Sequence, residues 1–216
     1  NPRRERGTPL GKRTLMAKPN SKNDKRVDVR TGVGTLSFPH IFKETVSKND
    51  DGEPRYETQF LIPKSDTESV KAILAGIREV AEAKWGDNWK SVASPLRDGD
   101  KEAKLLTEDG STRGEKYPER LGCYFLNARS ARPVGVVDRE RNPIVEPTEV
   151  YAGCKARLNV TFYPYIAKGN QGVGVGLNGV QKVADGEAFG GGAPSVESMF
   201  DLLGDDDGDG LGDVEE

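Results

Sequence analysis

From Lys155 to Tyr165 apolar and polar residues alternate: Ala156, Leu158, Val160 and Phe162 lie between Lys155, Arg157, Asn159, Thr161, Tyr163 and Tyr165. Successive side chains of an extended strand point to opposite sides, so a period of two commits this segment to a half-buried β-strand. It excludes a helix, whose faces recur every three or four residues. One side is purely apolar and belongs to a core. The other carries two cations, two amide or hydroxyl groups and two phenols.

The same period recurs elsewhere. Tyr124, Leu126 and Ala128 alternate with Phe125, Asn127 and Arg129. Val29, Thr31, Val33, Thr35 and Ser37 alternate with Arg30, Gly32, Gly34, Leu36 and Phe38, the two glycines predicting a bend. The turn Asn49-Asp50-Asp51-Gly52 leads into Tyr56, Thr58, Phe60 and Ile62, which predicts a hairpin. A turn near Arg141-Asn142-Pro143 precedes the 155–165 strand, and the last strand, 173–183, is dense in glycine. Between these blocks Val70, Ile73, Leu74, Ile77, Ala81 and Trp85 recur at helical spacing, with Ser65 as N-cap, Glu68 completing a capping box and Gly86 as the stop. Residues 87–121 are polar and punctuated by Pro95, Gly99, Gly110, Gly114 and Pro118, the composition of a long surface excursion.

The expected fold class is therefore mainly β with one prominent α-helix: two strands, the helix, then three more strands. That order fits a five-stranded Greek-key barrel of the oligonucleotide-binding (OB) type. A sandwich is equally compatible, and the helix follows the second strand where that barrel usually carries it between the third and fourth.

Charge divides the chain into three parts. Residues 1–26 hold nine bases against Glu5 and Asp24 with little to bury, and read as a disordered basic arm. Within it, residues 1–15 precede Met16 and fit either an expression scar or upstream translation. Residues 27–183 hold the core-forming side chains. The tail, 184–216, is acidic: after Lys182 there are eleven carboxylates and no base, leaving 24 acids against 32 bases before it. The total of −3 is thus a cancellation of +8 and −11. A basic body attracts a polyanion, and an acidic tail competes for the same surface.

Several chemistries are excluded. Cys123 and Cys154 lie in strand-like runs and read as small buried apolar residues, which suits a reducing compartment. With only His40 beside them, the usual soft ligands of a zinc site are lacking, and no Ser-His-Asp or Cys-His set exists. Asp98 and Asp100 have no third metal ligand at supporting spacing and read as a turn. No apolar run is long enough to cross a membrane as a helix. Asp205, Asp207, Asp209, Gly210 and Glu216 match the spacing of an EF-hand calcium loop, but Gly212 stands at its apolar eighth position and no exit helix follows, so calcium binding is the weaker alternative. The expectation is a non-enzymatic, cytoplasmic protein without cofactor or metal.

What the polar faces do fit is single-stranded nucleic acid, which needs charge for phosphates and flat rings for unstacked bases. Lys155, Arg157 and Arg129 are the expected phosphate contacts. Tyr163, Tyr165, Phe125 and Trp89 are the expected stacking groups, with Asn159 and Asn127 alongside.

The segments Thr31–His40, Pro95–Asp100, Gly122–Ala128, Tyr151–Cys154 and Gly176–Gln181 together resemble the bacteriophage single-stranded-DNA-binding proteins with an acidic C-terminal tail. The resemblance implies an OB barrel that coats single-stranded DNA during phage replication and recombination, and a tail that contacts phage or host replication proteins. Such tails often finish on an aromatic residue; here the last aromatic is Phe200, followed by Asp205, Asp206, Asp207 and Asp209. RNA binding and a virion structural role are the alternatives, and competition between matched DNA and RNA oligonucleotides separates the first.

Overall fold

Alternation in the second half of the chain folds as two long strands, and the rest of the molecule is arranged around them. The computed structural model describes residues 24–46, 53–167 and 169–189. In chain order its elements are β1 (Val27–Arg30), β2 (Gly34–Thr45), β3 (Arg55–Pro63), α1 (Thr67–Trp85), β4 (Arg97–Asp98), β5 (Cys123–Ser130), β6 (Gly135–Val137), β7 (Lys155–Ala167) and β8 (Asn170–Ala184). Strand pairing runs β2–β3–β5–β8–β7 and returns to β2, so five strands close on themselves. All neighbours in the circuit are antiparallel except β5 and β8.

Closure is narrow. β5 meets β8 at Arg129 opposite Gly176, and β2 meets β7 only at Gly34 and Thr35, so the barrel is partly open. β1 lies along β7 beyond the reach of β2, β6 runs parallel to β8, and β4 pairs with β5. Among the described residues the sheet thus has eight strands where five were expected, because three short ones are added to the five of the barrel. α1 follows the second strand of the closed circuit, as expected.

The expected first strand is two. Thr31 is buried and grips Leu158 of β7 twice, its N–H donating to the carbonyl (2.9 Å) and its Oγ1 accepting from the amide (2.9 Å). The chain then bends at Gly32, where an added Cβ would stand 1.9 Å from Ser69 Oγ. Only glycine lets the start of α1 approach so closely. The helix begins one residue later than the sequence indicates: Asp66, not Ser65, is the N-cap and accepts from the Ser69 N–H at 3.1 Å. Gly86, at φ 55°, ends it.

Leu36, Phe60, Ile62, Leu126, Leu158, Val160 and Phe162 fill the barrel, and Val70, Ile73, Ile77, Val80 and Ala81 pack the helix onto it. Leu74 is a correction to the apolar stripe, being 46% exposed on the helix rim. Trp85 packs against the core and donates its indole N–H to Gln171 Oε1 at 3.1 Å. Cys154 is buried, Cys123 is half-buried, both are free thiols, and burial pushes both thiols above their ordinary pKa. His40 is exposed opposite Glu57. Among the described residues no helix is long and apolar enough to cross a membrane.

The excursion after α1 is ordered rather than loose. It folds over the outer side of β5 through short helical turns at Gly99–Glu102 and Arg113–Lys116. Glu102 ties it together by pairing with both Arg97 and Arg113. Lys64 at the end of β3 donates to Asp98 (2.5 Å) and Asp100 (2.8 Å), and Asp100 also accepts from the Gly122 amide (2.8 Å). The Lys64 hydrogen bond is the main cause of the depressed Asp98 pKa. For Asp100 the Gly122 N–H is the first cause and Lys64 the second.

Candidate nucleic-acid interface

Ala156, Leu158, Val160 and Phe162 of β7 are wholly buried, so Lys155, Arg157, Asn159, Thr161, Tyr163 and Tyr165 share the outer side. Their neighbours are set by register. Tyr165 lies opposite Gly172 of β8, Tyr163 opposite Gly174, Thr161 opposite Gly176 and Arg157 opposite Gln181. A Cβ built on Gly174 would fall 2.6 Å from Tyr163 Cζ and 2.7 Å from its Cε2. On Gly172 it would meet Tyr165 Oη at 3.1 Å. The Tyr163 ring therefore lies across the bare backbone of β8, filling the space that a side chain would take, with Tyr165 reaching over the next glycine. The glycine density of β8 has its reason here.

The cations on this side differ in how committed they are. Lys155 Nζ donates to Thr35 Oγ1 at 2.8 Å, and Arg157 Nε donates to the Thr31 carbonyl at 3.3 Å. Neither contact involves a carboxylate, and among the described residues no carboxylate pairs with either cation. Arg129 is ion-paired with Glu57 at 3.0 Å, and a phosphate must compete for it. Asn159 is exposed and accepts from Asn178 Nδ2 at 2.8 Å.

Trp89 arrives from outside the sheet. It sits in a 3-10 turn, Gly86–Ser91, partly packed on the core, with the Arg78 guanidinium and the Lys90 ammonium 5.4 and 5.6 Å from its ring centroid. The following residue pair Ala93–Gly172 forms a bridge, which brings this turn to the Tyr165 end of the face.

Phe125 requires a correction. It lies on the outer side with Asn127 and Arg129, as the period demands, yet it is 0% exposed. The guanidinium carbons of Arg97 and Arg120 stand 5.0 and 4.9 Å from its ring centroid, because the excursion folds down onto β5. Phe125 is a core residue of that cover and presents no ring to a base. Asn127 stays exposed and accepts from Gln59 Nε2 at 2.9 Å, while Gln59 in turn accepts from Arg120 Nε at 2.8 Å. Burial holds the Arg120 guanidinium below its ordinary pKa.

Two rings that the sequence did not single out lie beside Arg120 and its cover. Arg120 lies 3.9 Å from the Tyr117 ring centroid, and Tyr117 meets Phe38 edge to face at 6.0 Å. Phe38 is 45% exposed at φ 49°, a backbone conformation that costs a bulky residue free energy. Strict alternation from buried Leu36 would put Phe38 inside. The register shift between Ser37 and His40 turns it outward instead. Phe200, Asp205, Asp206, Asp207 and Asp209, like the calcium-like spacing around them, lie outside the described residues. Among those described, no cluster of His, Cys, Asp or Glu is arranged to hold a metal ion.

A family model described as the ssDNA-binding protein of Enterobacter phage Enc34 matches residues 27–211. Putative protein p50 of Acyrthosiphon pisum secondary endosymbiont phage 1 is 36% identical over 180 residues, covering 77% of this chain and 89% of its own. The solved single-stranded DNA-binding protein from bacteriophage Enc34 is similar with a TM-score of 0.57 at 23% identity, covering 81% of this chain and 90% of that one. Its structure in complex with ssDNA gives 0.60 at 23%, covering 82% and 99%. At such identities the structural likeness speaks for the fold.

Proposed function

Because the chain belongs to the phage ssDNA-binding family represented by Enterobacter phage Enc34, we propose that it is a non-enzymatic protein that coats single-stranded DNA during phage replication and recombination in the host cytoplasm. The observation that carries this most is the outer side of β7, where the Tyr163 ring lies over Gly174 in line with Arg157 and Lys155. Rings laid on a sheet offer their free faces to unstacked bases, and cations along the same strand serve the phosphates. Each stacked base contributes roughly 1–3 kcal/mol, and each neutralised phosphate adds about 0.7 to the negative slope of log affinity against log salt.

In this reading Lys155, Arg157 and Arg129 hold phosphates, Tyr163, Tyr165 and Trp89 stack on bases, and Asn159 and Asn127 contact sugar or base edges. Phe38 and Tyr117 extend the track across β2 and β3. The basic arm, 1–26, adds unspecific attraction to the barrel of 27–183. The acidic segment 184–216 competes with DNA for the basic face and, through Phe200 and the run of aspartates, recruits replication proteins. Fluorescence titration with an oligo-dT of about thirty nucleotides against the matching duplex tests the core of this reading. Tight, salt-sensitive binding of the single strand is expected, weakened in Tyr163→Ala and Arg157→Ala. Equal affinity for the duplex, or undiminished binding by both folded variants, would overturn it.

A further inference from the structure

At the other end of β7 from the tyrosines, Arg157 shares a cleft with Arg30 of β1 and Arg141 of the turn after β6, lined also by Asn159, Gly135 and Gly179. Three arginines line it, and among the described residues no carboxylate forms an ion pair with any of them. Elsewhere the molecule pairs its cations readily: Lys64, Arg97, Arg113 and Arg129 each face an acid. Like charges brought together without a counter-charge repel one another, and an anion relieves them.

The placement of Arg141 is built. It occupies the left-handed region at φ 73°, where glycine would sit without strain. The turn is held in that shape by Asp138, which accepts from the Asn142 amide at 2.8 Å and from Asn142 Nδ2 at 2.9 Å. Gln181 of β8 pins the same turn from below, its Nε2 donating to the carbonyls of Asp138 (3.1 Å) and Arg139 (3.2 Å). Asp138 is thereby occupied with its own loop. A strained arginine maintained by so many local bonds, at a position suited to glycine, indicates that the side chain is needed.

We infer that Arg30, Arg141 and Arg157 form a phosphate-binding subsite that takes a phosphodiester of the bound strand and lengthens its track beyond the tyrosine face. The inference rests on the ssDNA reading above and deepens it. From Arg157 to Tyr163 the strand spans about 20 Å, so the same oligonucleotide meets rings at one end and the arginine cleft at the other.

The test is the full chain carrying Arg30→Gln and Arg141→Gly together, titrated with oligo-dT between roughly 50 and 200 mM salt beside Tyr163→Ala. Loss of that phosphate contact lowers the salt slope by about 0.7, so the affinity lost between those two salt concentrations shrinks by a factor of about 2.6. Arg141→Gly alone is expected to melt at or above the temperature of the parent while binding more weakly, which a merely structural arginine would not do. An unchanged slope in the double variant, with Tyr163→Ala still weakened, overturns the arginine subsite and leaves the ssDNA reading standing. If neither variant weakens binding, both fall.

Discussion

Gly174→Ala isolates the role of the glycine floor. The new methyl would stand 2.6 Å from Tyr163 Cζ, 2.7 Å from Cε2 and 2.9 Å from Oη, inside any permitted contact. Those atoms are the far end of a side chain with two rotatable bonds, so the ring swings and the strand stays. A ring driven some 30° from its torsional well loses roughly 0.5–1.5 kcal/mol. Alanine in place of glycine within a strand returns about 0.5–1 kcal/mol, so the melting temperature should hardly move. Binding should move, because the displaced ring no longer lies flat for a base: about 1–3 kcal/mol, a five- to 150-fold weaker grip on oligo-dT. Gly176→Ala is the control, since its methyl would make ordinary contacts of 3.5–3.8 Å with Thr161 and Tyr163. Fluorescence titration of the two alanine variants at one salt concentration decides the matter. Equal losses in both, or parental affinity in Gly174→Ala, would refute the argument that the glycine exists to seat the ring.

Phe125→Leu should cost about 1–1.5 kcal/mol in denaturant unfolding and leave the oligo-dT affinity of the folded protein within about twofold, since the ring is covered by Arg97 and Arg120; a large binding defect without destabilisation would contradict this. Asp98 and Asp100 have depressed folded-state pKa values, so the stability they lend is present above their unfolded values near 4 and is lost as pH falls through the lower folded ones. Acid should therefore loosen the 96–122 cover below about pH 4, read as early exchange of the Gly122 amide that Asp100 holds, and full protection of that amide under those conditions would count against it. Removing residues 197–216 should tighten oligo-dT binding at low ionic strength and progressively less as salt screens both tail and phosphates, and an unaltered affinity at every salt would end the self-competition reading.

Periodicity identifies which side of a strand a residue takes, and on β7 it does so without error, because burial of Ala156, Leu158, Val160 and Phe162 forces every alternate residue outward. It does not say what lies on top of that side. Phe125 obeys its alternation and is nevertheless buried, since Arg97 and Arg120 come from segments 28 and five residues away in the chain. Phe38 breaks its alternation because a bulge adds a residue to β2, and no pattern of residue types marks that spot. The N-cap lies one position further on for a local reason, the Asp66 carboxylate accepting from the Ser69 amide three residues along.

The sequence by itself determined the mainly β class, the one prominent helix and its stop at Gly86, the outward-facing row of cations and tyrosines on β7, and the separation of charge between body and tail, because each is a property of residues near one another in the chain. Tertiary structure alone decided that β5 meets β8 to close the barrel, that the polar excursion shields Phe125, that Gly174 seats the Tyr163 ring, and that Arg30, Arg141 and Arg157 face one cleft. Those arrangements join residues far apart in the chain, as does the Thr31–Leu158 hydrogen bond across 127 positions, and such contacts are fixed by packing of the whole chain rather than by any local preference.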